Sequence, residues 1–203
     1  MKLGLFGGTF DPPHIGHLIV AQDAMASLGL DRVLFIPAAV PPHKLDKVVT
    51  PAAERLAMLA AAIEGDIRFG IDTVELDRTG PSYTVDTVEA LSRQYGNDEL
   101  YLLLGADQFA EFRTWREPER VAELVNIVVL SREGAPAASA AELEAFRARW
   151  VGVTRIDVSS TGIRERCAAG EPIRYHVPAA VERYLETHEV YPRAGEAPDT
   201  LDR

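Results

Sequence analysis

Short apolar runs alternate with longer segments of helical periodicity along most of the chain. An uninterrupted apolar run of about four residues, bounded by polar or turn residues, is typical of a strand buried on both faces. The chain has such runs at residues 3–6, 33–36, 101–104 and 127–130. We therefore predict that these runs form strands of one parallel sheet.

Helical patterns occupy the intervals between these runs. Glycine, hydroxyl residues and proline mark the predicted ends, since they cap or stop helices. The first predicted helix has Leu18, Ala21, Met25 and Leu28 on a single face and ends at Gly29, and the second begins at Pro51 with Leu56, Ala60 and Ile63 on one side. A third covers about residues 84–95 and ends at Gly96. The last two are an alanine-rich surface helix over residues 134–149 and a helix that follows residues 159–161 and ends near Gly170.

Alternation of strands and helices predicts an α/β fold of βαβ units, a Rossmann-like doubly wound, mostly parallel sheet with helices on both faces. Such sheets bind ligands beyond the carboxyl ends of their strands, close to the point where the strand order reverses. We expect one domain over residues 1–193, because no repeat or linker divides the chain, and a frayed tail over residues 194–203.

Composition narrows the class of protein without identifying it. Hydrophobic residues make up 47% of the 203 residues and charged residues 26%, as in ordinary soluble globular proteins. With neither a long apolar span nor a basic-then-apolar leader pattern in the sequence, we expect a cytoplasmic protein without membrane contact. Cys167 is the single cysteine, which excludes an internal disulfide and a cysteine-based zinc cluster. The net charge of −10 argues against broad nucleic-acid binding, although it leaves room for a single nucleotide.

The first candidate for chemistry follows the first predicted strand, at residues 7–17, Gly-Gly-Thr-Phe-Asp-Pro-Pro-His-Ile-Gly-His. Glycine lets backbone N–H groups approach a ligand closely because it has no Cβ. His14 and His17 lie where a helix is predicted to begin, and a helix N-terminus attracts anions through its N–H groups and partial positive charge. The stretch therefore predicts a phosphate-binding loop with imidazole donors.

Other interpretations of this loop are weaker. It has neither the Gly-x-Gly-x-x-Gly spacing of dinucleotide folds nor the lysine of a P-loop. His14 and His17 could be zinc ligands, but a third ligand from cysteine or a nearby Glu-x-x-His is missing, so we expect no metal held by protein side chains. The two histidines could also be solvent-facing residues of a plain strand-to-helix turn, an alternative that the flanking glycines and prolines disfavour.

The second candidate is Val-Ser-Ser-Thr-Gly-Ile-Arg at residues 158–164. Three consecutive hydroxyl residues before a helical pattern are strong N-cap candidates. The purely structural interpretation is a well-capped helix with an exposed Arg164. The functional interpretation is a second helix N-terminus directed at phosphate, and it is supported only if the first loop also binds phosphate.

Together these two stretches resemble the paired signatures of the nucleotidylyltransferase superfamily. Three further segments make the chain similar to the bacterial nicotinate-nucleotide adenylyltransferases within it. These are Pro-Pro-His-Lys at residues 41–44, Ser-Tyr-Thr-Val-Asp-Thr at 82–87 and Gly-Ala-Asp-Gln at 105–108. The five segments occur in order, and the resemblance extends from residue 3 to about residue 191.

The resemblance implies an ATP site and a mononucleotide site. His14, His17 and Arg164 would be catalytic and hold the ATP phosphates, and Asp107 would meet the ribose. The other ATP-binding residues implied are Gly7, Gly8, Thr9, Phe10, Gly16, Gly105, Ser159, Ser160 and Thr161. Thr84 and Trp115 would enclose nicotinate mononucleotide, with the indole on the pyridine ring, while Lys44 and Arg132 would approach the phosphates. Asp107 could instead be a helix N-cap, Trp115 could cover a helix edge, and Lys44 could be simply solvated.

The resemblance also implies the reaction, which is transfer of the adenylyl group of ATP to nicotinate mononucleotide with release of pyrophosphate. Mg²⁺ would be held mainly by the substrate phosphates. Two alternatives stay open at this point: a sister transferase acting on another phosphorylated acceptor such as phosphopantetheine, and a nucleotide-binding module without catalysis. Arg116 departs from the family pattern, because some members have an aromatic residue there.

Overall fold

A computed structural model describes residues 1–39, 49–132 and 139–192, except for the side chain of Arg132. Within these residues a sheet of six strands has the order β3-β2-β1-β4-β5-β6. All of its neighbouring strands are parallel. The strands are β1 (Lys2–Gly8), β2 (Arg32–Pro37), β3 (Phe69–Ile71), β4 (Glu99–Gly105), β5 (Asn126–Arg132) and β6 (Arg149–Val153).

Strands β1 and β4 are neighbours at the centre of this order, and the chain proceeds outward from them in opposite directions. Leu3 pairs with Leu100 and Leu5 with Leu102, so both strands end at the same edge of the sheet. A crevice opens where the order reverses, because the connections that leave the two strands turn to opposite sides. The first candidate loop leaves β1 at this crevice.

The helices connect and cover the strands. They are α1 (Ile15–Leu28), α2 (Ala52–Ile63), α3 (Thr84–Gln94), α4 (Ala106–Ala110), α5 (Pro118–Leu124), α6 (Ala140–Ala145), α7 (Ser160–Ala168) and α8 (Ala179–His188), with a short 3-10 helix over Phe112–Thr114. Gly29 ends α1 in the left-handed conformation, at a φ of 64°, as its sequence position predicts. The α/β fold class, the four predicted strands and the helices at α1, α2, α3 and α7 are confirmed.

Both faces of the sheet are buried, which explains the continuous apolar runs. One core joins alternate strand residues such as Leu5 and Leu102 to Val88 and Leu91 of α3. The core on the opposite face joins the intervening positions, among them Leu103, to Ala21 of α1 and Leu59 of α2. Helices therefore cover the sheet on both sides, as the doubly wound prediction requires.

Two details of the sequence prediction are wrong. The alanine-rich helix was expected over residues 134–149, but α6 spans Ala140–Ala145 and Arg149 already begins β6. On α2 the most buried side chains are Arg55, Met58 and Leu59 rather than the predicted set of Leu56, Ala60 and Ile63. Helix α2 packs on α8 as well as on the sheet. The side of the helix that is buried therefore differs from the side that the sequence pattern indicates.

No helix among the described residues has the length and apolarity needed to cross a membrane. The predicted frayed tail at residues 194–203 lies outside the described residues.

Candidate functional site

A cavity of about 720 Å³ opens at the carboxyl ends of β1 and β4. This size suits a nucleotide-sized ligand. Residues of both sequence signatures line it, although they are about 150 positions apart in the chain. The predicted site residues that line the cavity are Gly7, Gly8, Thr9, His14, Gly16, His17, Thr84, Gly105, Asp107, Trp115, Ser159 and Ser160.

The first loop is shaped by its glycines and by Phe10. A Cβ at Gly7 would meet nothing within 4 Å, so the backbone is open to the cavity there. A Cβ at Gly8 would lie 2.8 Å from the ring of Phe10, which leaves no room for a side chain. Phe10 itself has a φ of 50° and is 2% exposed. Its ring supports the loop from beneath, so any contact of Phe10 with a ligand would come from its backbone.

His14 and His17 stack on one another at the start of α1. Their ring centroids are 3.7 Å apart and their planes differ by 25°. The Nδ1 atom of His17 accepts a bond of 3.1 Å from the His14 backbone N–H, which places the proton of a neutral ring on Nε2. His14 is 7% exposed, so the alternative of two solvent-facing histidines is wrong. The pair is fixed in orientation at the cavity wall.

The second signature forms the start of α7 and packs against the first loop. Ser159 is the N-cap, and its Oγ accepts a bond of 3.1 Å from the Gly162 N–H, as the hydroxyl cluster predicts. The Ser160 hydroxyl donates to the Pro12 carbonyl at 2.8 Å. The two stretches that the sequence singled out are therefore in direct contact.

Arg164 completes this contact. Its guanidinium donates to the Asp11 carbonyl at 2.6 Å and to the Thr161 hydroxyl at 3.2 Å. The side chain thus connects α7 to the first loop. A guanidinium has five N–H donors, so these two bonds leave further donors for a phosphate.

The opposite part of the cavity is lined by Thr84, at the first turn of α3, and by Trp115. The indole packs on Phe112 at 5.2 Å between ring centroids and also faces the cavity. Covering a helix edge and lining the site are therefore compatible roles for Trp115. The N-cap of α4 is Gly105 and Asp107 lies inside the helix, so the alternative of Asp107 as N-cap is wrong.

A polar cluster that was not predicted from the sequence lies behind the first loop and is formed by Asp11, Arg55 and Tyr191. Arg55 is 2% exposed and donates to the carbonyls of Thr9 and Thr50 at 2.8 and 2.9 Å. The Tyr191 hydroxyl donates to the Asp11 carboxylate at 2.7 Å. No local sequence pattern indicates this cluster, because Asp11, Arg55 and Tyr191 are far apart in the chain and meet only through the tertiary fold.

This cluster gives a pH-dependent contribution to stability. Burial, and next the hydrogen bond to Asp11, raise the pKa of the Tyr191 phenol above its ordinary value. Above about pH 10 the unfolded chain ionises this phenol while the folded chain keeps it protonated, so the free energy of unfolding falls with rising pH. Below that pH the contribution is fully present.

We therefore expect Tyr191→Phe to flatten the loss of stability above about pH 10, in urea titrations at a series of pH values. The matched control is Tyr175→Phe, whose ring is 78% exposed and which should keep the wild-type slope. Equal slopes in wild type and Tyr191→Phe would contradict the assignment.

A second polar cluster lies at the Thr84 end of the cavity. Glu75 accepts a bond of 2.9 Å from the Thr87 hydroxyl, and Arg78 donates to the same hydroxyl at 2.7 Å. Burial raises the pKa of the Glu75 carboxyl, while the Thr87 and Ser82 hydroxyls and the Arg78 charge act in the opposite direction. The cluster fixes the segment that precedes α3, where Tyr83 and Thr84 reach the cavity.

Two of the predicted site residues have side chains that lie outside the described part of the chain. Lys44 belongs to residues outside the described part of the chain, and Arg132 is described through its backbone at the end of β5. Within the described ranges, no group of three or more His, Cys, Asp or Glu side chains could hold a metal ion.

Comparison with known proteins gives consistent findings. A family model described as cytidylyltransferase-like matches residues 5–166. A "probable nicotinate-nucleotide adenylyltransferase" of Thermomicrobium roseum is 46% identical over 195 residues, which are 94% of this chain and 91% of that protein. A protein of Thermus thermophilus with the same description is 45% identical over 191 residues, 94% of this chain and 100% of its own length.

Solved structures are also similar. The nicotinic acid mononucleotide adenylyltransferase of Plasmodium falciparum complexed with NaAD superposes with a TM-score of 0.77 at 18% identity. The match covers 94% of this chain and 97% of that one. At this identity the likeness supports the fold.

Proposed function

Because the chain belongs to the cytidylyltransferase-like family and, within it, to the nicotinate-nucleotide adenylyltransferases, we propose that it transfers the adenylyl group of ATP to nicotinate mononucleotide in NAD biosynthesis. The products are deamido-NAD and pyrophosphate. The observation that carries this proposal is the convergence of His14, His17 and the α7 N-terminus on one cavity at the β1–β4 switch point.

The attacking group is an oxygen of the mononucleotide phosphate. The second pKa of a phosphate monoester is about 6, so this oxygen is already ionised at neutral pH. It forms a bond to the α-phosphorus of ATP while the bond from that phosphorus to the bridging oxygen of pyrophosphate breaks. The reaction therefore needs neither a general base nor a covalent enzyme intermediate.

The residues of the site align two anions and offset the charge that develops on transfer. The His14 and His17 rings have a fixed orientation at the wall and are suited to donate to phosphate oxygens. We propose that Arg164, which packs against the first loop through the Asp11 carbonyl, uses its remaining donors for the β- and γ-phosphates. We further propose that Asp107, in the first turn of α4, contacts the ribose and that the Trp115 indole stacks on the pyridine ring, since both residues line the cavity.

Mg²⁺ supplies charge neutralisation when it is bound to the phosphates. We propose that it enters with ATP and keeps phosphate and water ligands.

The test is release of pyrophosphate from ATP with Mg²⁺ and nicotinate mononucleotide, followed with an inorganic pyrophosphatase-coupled assay. We expect turnover with this acceptor and product with the mass of deamido-NAD. Turnover with phosphopantetheine instead would assign the chain to a sister transferase. ATP binding without pyrophosphate release with either acceptor would make it a binding module.

A further inference from the structure

Asp11 presents two kinds of acceptor in the first loop, a main-chain carbonyl and a carboxylate. The carbonyl accepts a bond of 2.6 Å from the Arg164 guanidinium. The carboxylate accepts at Oδ1 from the Tyr191 hydroxyl, at 2.7 Å, and at Oδ2 from the Thr50 backbone N–H, at 3.3 Å. Arg164 is therefore bonded to the uncharged acceptor of this residue, while both oxygens of the charged acceptor are bonded to other segments of the chain.

This division decides how much of the Arg164 charge is available to a ligand. A guanidinium and a carboxylate that meet in one plane form two parallel hydrogen bonds, each roughly twice as strong as a bond between neutral groups. Such a pair with the Asp11 carboxylate would use donors of Arg164 and offset its positive charge. The bonds to the Asp11 carbonyl and the Thr161 hydroxyl leave that charge uncompensated and leave further donors for a ligand.

Tyr191 holds the carboxylate in its present position. The Tyr191 ring packs against an apolar cluster that includes Met58 of α2 and Ile163 of α7, so the phenol is fixed by the fold. Asp11 is 5% exposed, and a buried carboxylate that loses one donor needs another within the protein. Arg164 is already bonded to the same residue and could supply that donor.

The inference that follows rests on the proposed function, in which Arg164 acts on the β- and γ-phosphates of ATP. We propose that Tyr191 is a positioning residue, which holds the Asp11 carboxylate away from Arg164 and thereby keeps the guanidinium for those phosphates. The charge of Arg55, which is also close to Asp11, offsets part of the carboxylate charge from the side of α2. Without the phenol, ATP would have to displace the carboxylate from Arg164 before it could bind there.

The test is calorimetric binding of ATP and of AMP to wild type and Tyr191→Phe, with Mg²⁺ and without acceptor. AMP lacks the β- and γ-phosphates, so its affinity reports the rest of the site and the integrity of the fold. We expect the affinity for ATP to fall about 10-fold in the variant, which corresponds to capture of Arg164 in about nine molecules out of ten, and the affinity for AMP to change little. An equal loss for both nucleotides would contradict the proposal.

A second substitution separates capture of Arg164 from a general loosening of the loop. In Asp11→Asn the side chain carries no charge and pairs only weakly with a guanidinium. We therefore expect the double variant Asp11→Asn/Tyr191→Phe to regain most of the ATP affinity that Tyr191→Phe loses. A loop that had simply lost an anchor would bind ATP no better after this second change, and that result would overturn the proposal.

Tyr184→Phe is the matched control. The Tyr184 hydroxyl donates to the Glu54 carboxylate at 2.8 Å and joins α8 to α2, and its ring packs against the same apolar cluster as Tyr191. The control thus removes a bond of the same type that does not involve the first loop, so the ratio of ATP to AMP affinity should stay at its wild-type value. A ratio that falls as far as in Tyr191→Phe would refute a specific role for Tyr191.

Pyrophosphate release by wild type with nicotinate mononucleotide is measured separately, which distinguishes this inference from the proposed function. If release is absent while the affinity ratios change as expected, the proposed function fails and the role of Tyr191 holds. If release is present while Tyr191→Phe keeps the wild-type ratio, the proposed function holds and the role of Tyr191 fails. Wild type that binds ATP no more tightly than AMP would also overturn the inference, because Arg164 would then not act on the two outer phosphates.

Discussion

Replacing His17 by alanine should lower kcat about a hundredfold, equivalent to about 3 kcal/mol of transition-state stabilisation. The His17 ring is held by its stack on His14 and by contact with Phe10 at 5.1 Å between centroids. A donor fixed in this way needs little reorganisation when charge develops on the phosphate oxygens. Pyrophosphate release at saturating ATP and acceptor measures the effect.

The same substitution removes the acceptor for the His14 N–H at the start of α1, so the control must separate stability from catalysis. His17→Asn keeps a short side-chain acceptor at this position and should restore thermal stability without restoring turnover. A His17→Ala enzyme with near-normal pyrophosphate release would show that the ring does not act on the phosphates.

Replacing Arg55 by methionine should lower the free energy of unfolding by about 3 kcal/mol or more, without removing any group from the cavity wall. The guanidinium donates to the part-buried carbonyls of Thr9 and Thr50, and methionine can donate to neither. The Asp11 carboxylate, 5% exposed, also loses a nearby positive charge. Urea denaturation measures this change, provided that the dependence of the free energy of unfolding on urea concentration is the same in both proteins.

The comparison variant is Arg55→Lys, which retains the charge and one donor and should lie between wild type and Arg55→Met. Because Thr9 belongs to the first loop, we also expect the KM for ATP to rise in Arg55→Met. A methionine variant as stable as wild type would mean that the two carbonyls find other donors.

The sequence predicts the centre of this fold because local pattern and tertiary environment agree there. Strands β1, β2, β4 and β5 are buried on both faces, so their apolar runs are continuous. Helix α1 is also predicted from local sequence, since its buried Ala21, Met25 and Leu28 repeat at helical spacing and Gly29 ends it. Capping of α7 by Ser159 likewise needs only neighbouring residues.

The periphery could not be predicted in the same way. Strand β3 has three residues, too few for a period to be recognised. The alanine-rich segment has high helix propensity through residue 149, but Arg149–Val153 pairs with β5, and this tertiary pairing overrides local preference. Helix α2 buries Arg55 because partners far along the chain satisfy it, which no local pattern reveals.

The candidate site also has features that local sequence predicts and features that depend on tertiary packing. The signatures identified the loop, the two histidines and the α7 cap, all of which the fold brings to one cavity. The bonds of Arg164 to Asp11 and Thr161 were not predicted, because the bond to Asp11 depends on how α7 packs on the loop. The stack of Arg116 on Tyr83 likewise joins two segments whose contact is tertiary.

The bond between Tyr191 and Asp11 spans 180 positions of the chain. During synthesis, which proceeds from the N-terminus, the first loop leaves the ribosome long before the phenol that anchors its carboxylate. A nascent polypeptide shorter than 191 residues therefore lacks this anchor, however much of its sheet has assembled. The Asp11 carboxylate of the first loop can accept this bond only after nearly all of the described residues have been synthesised.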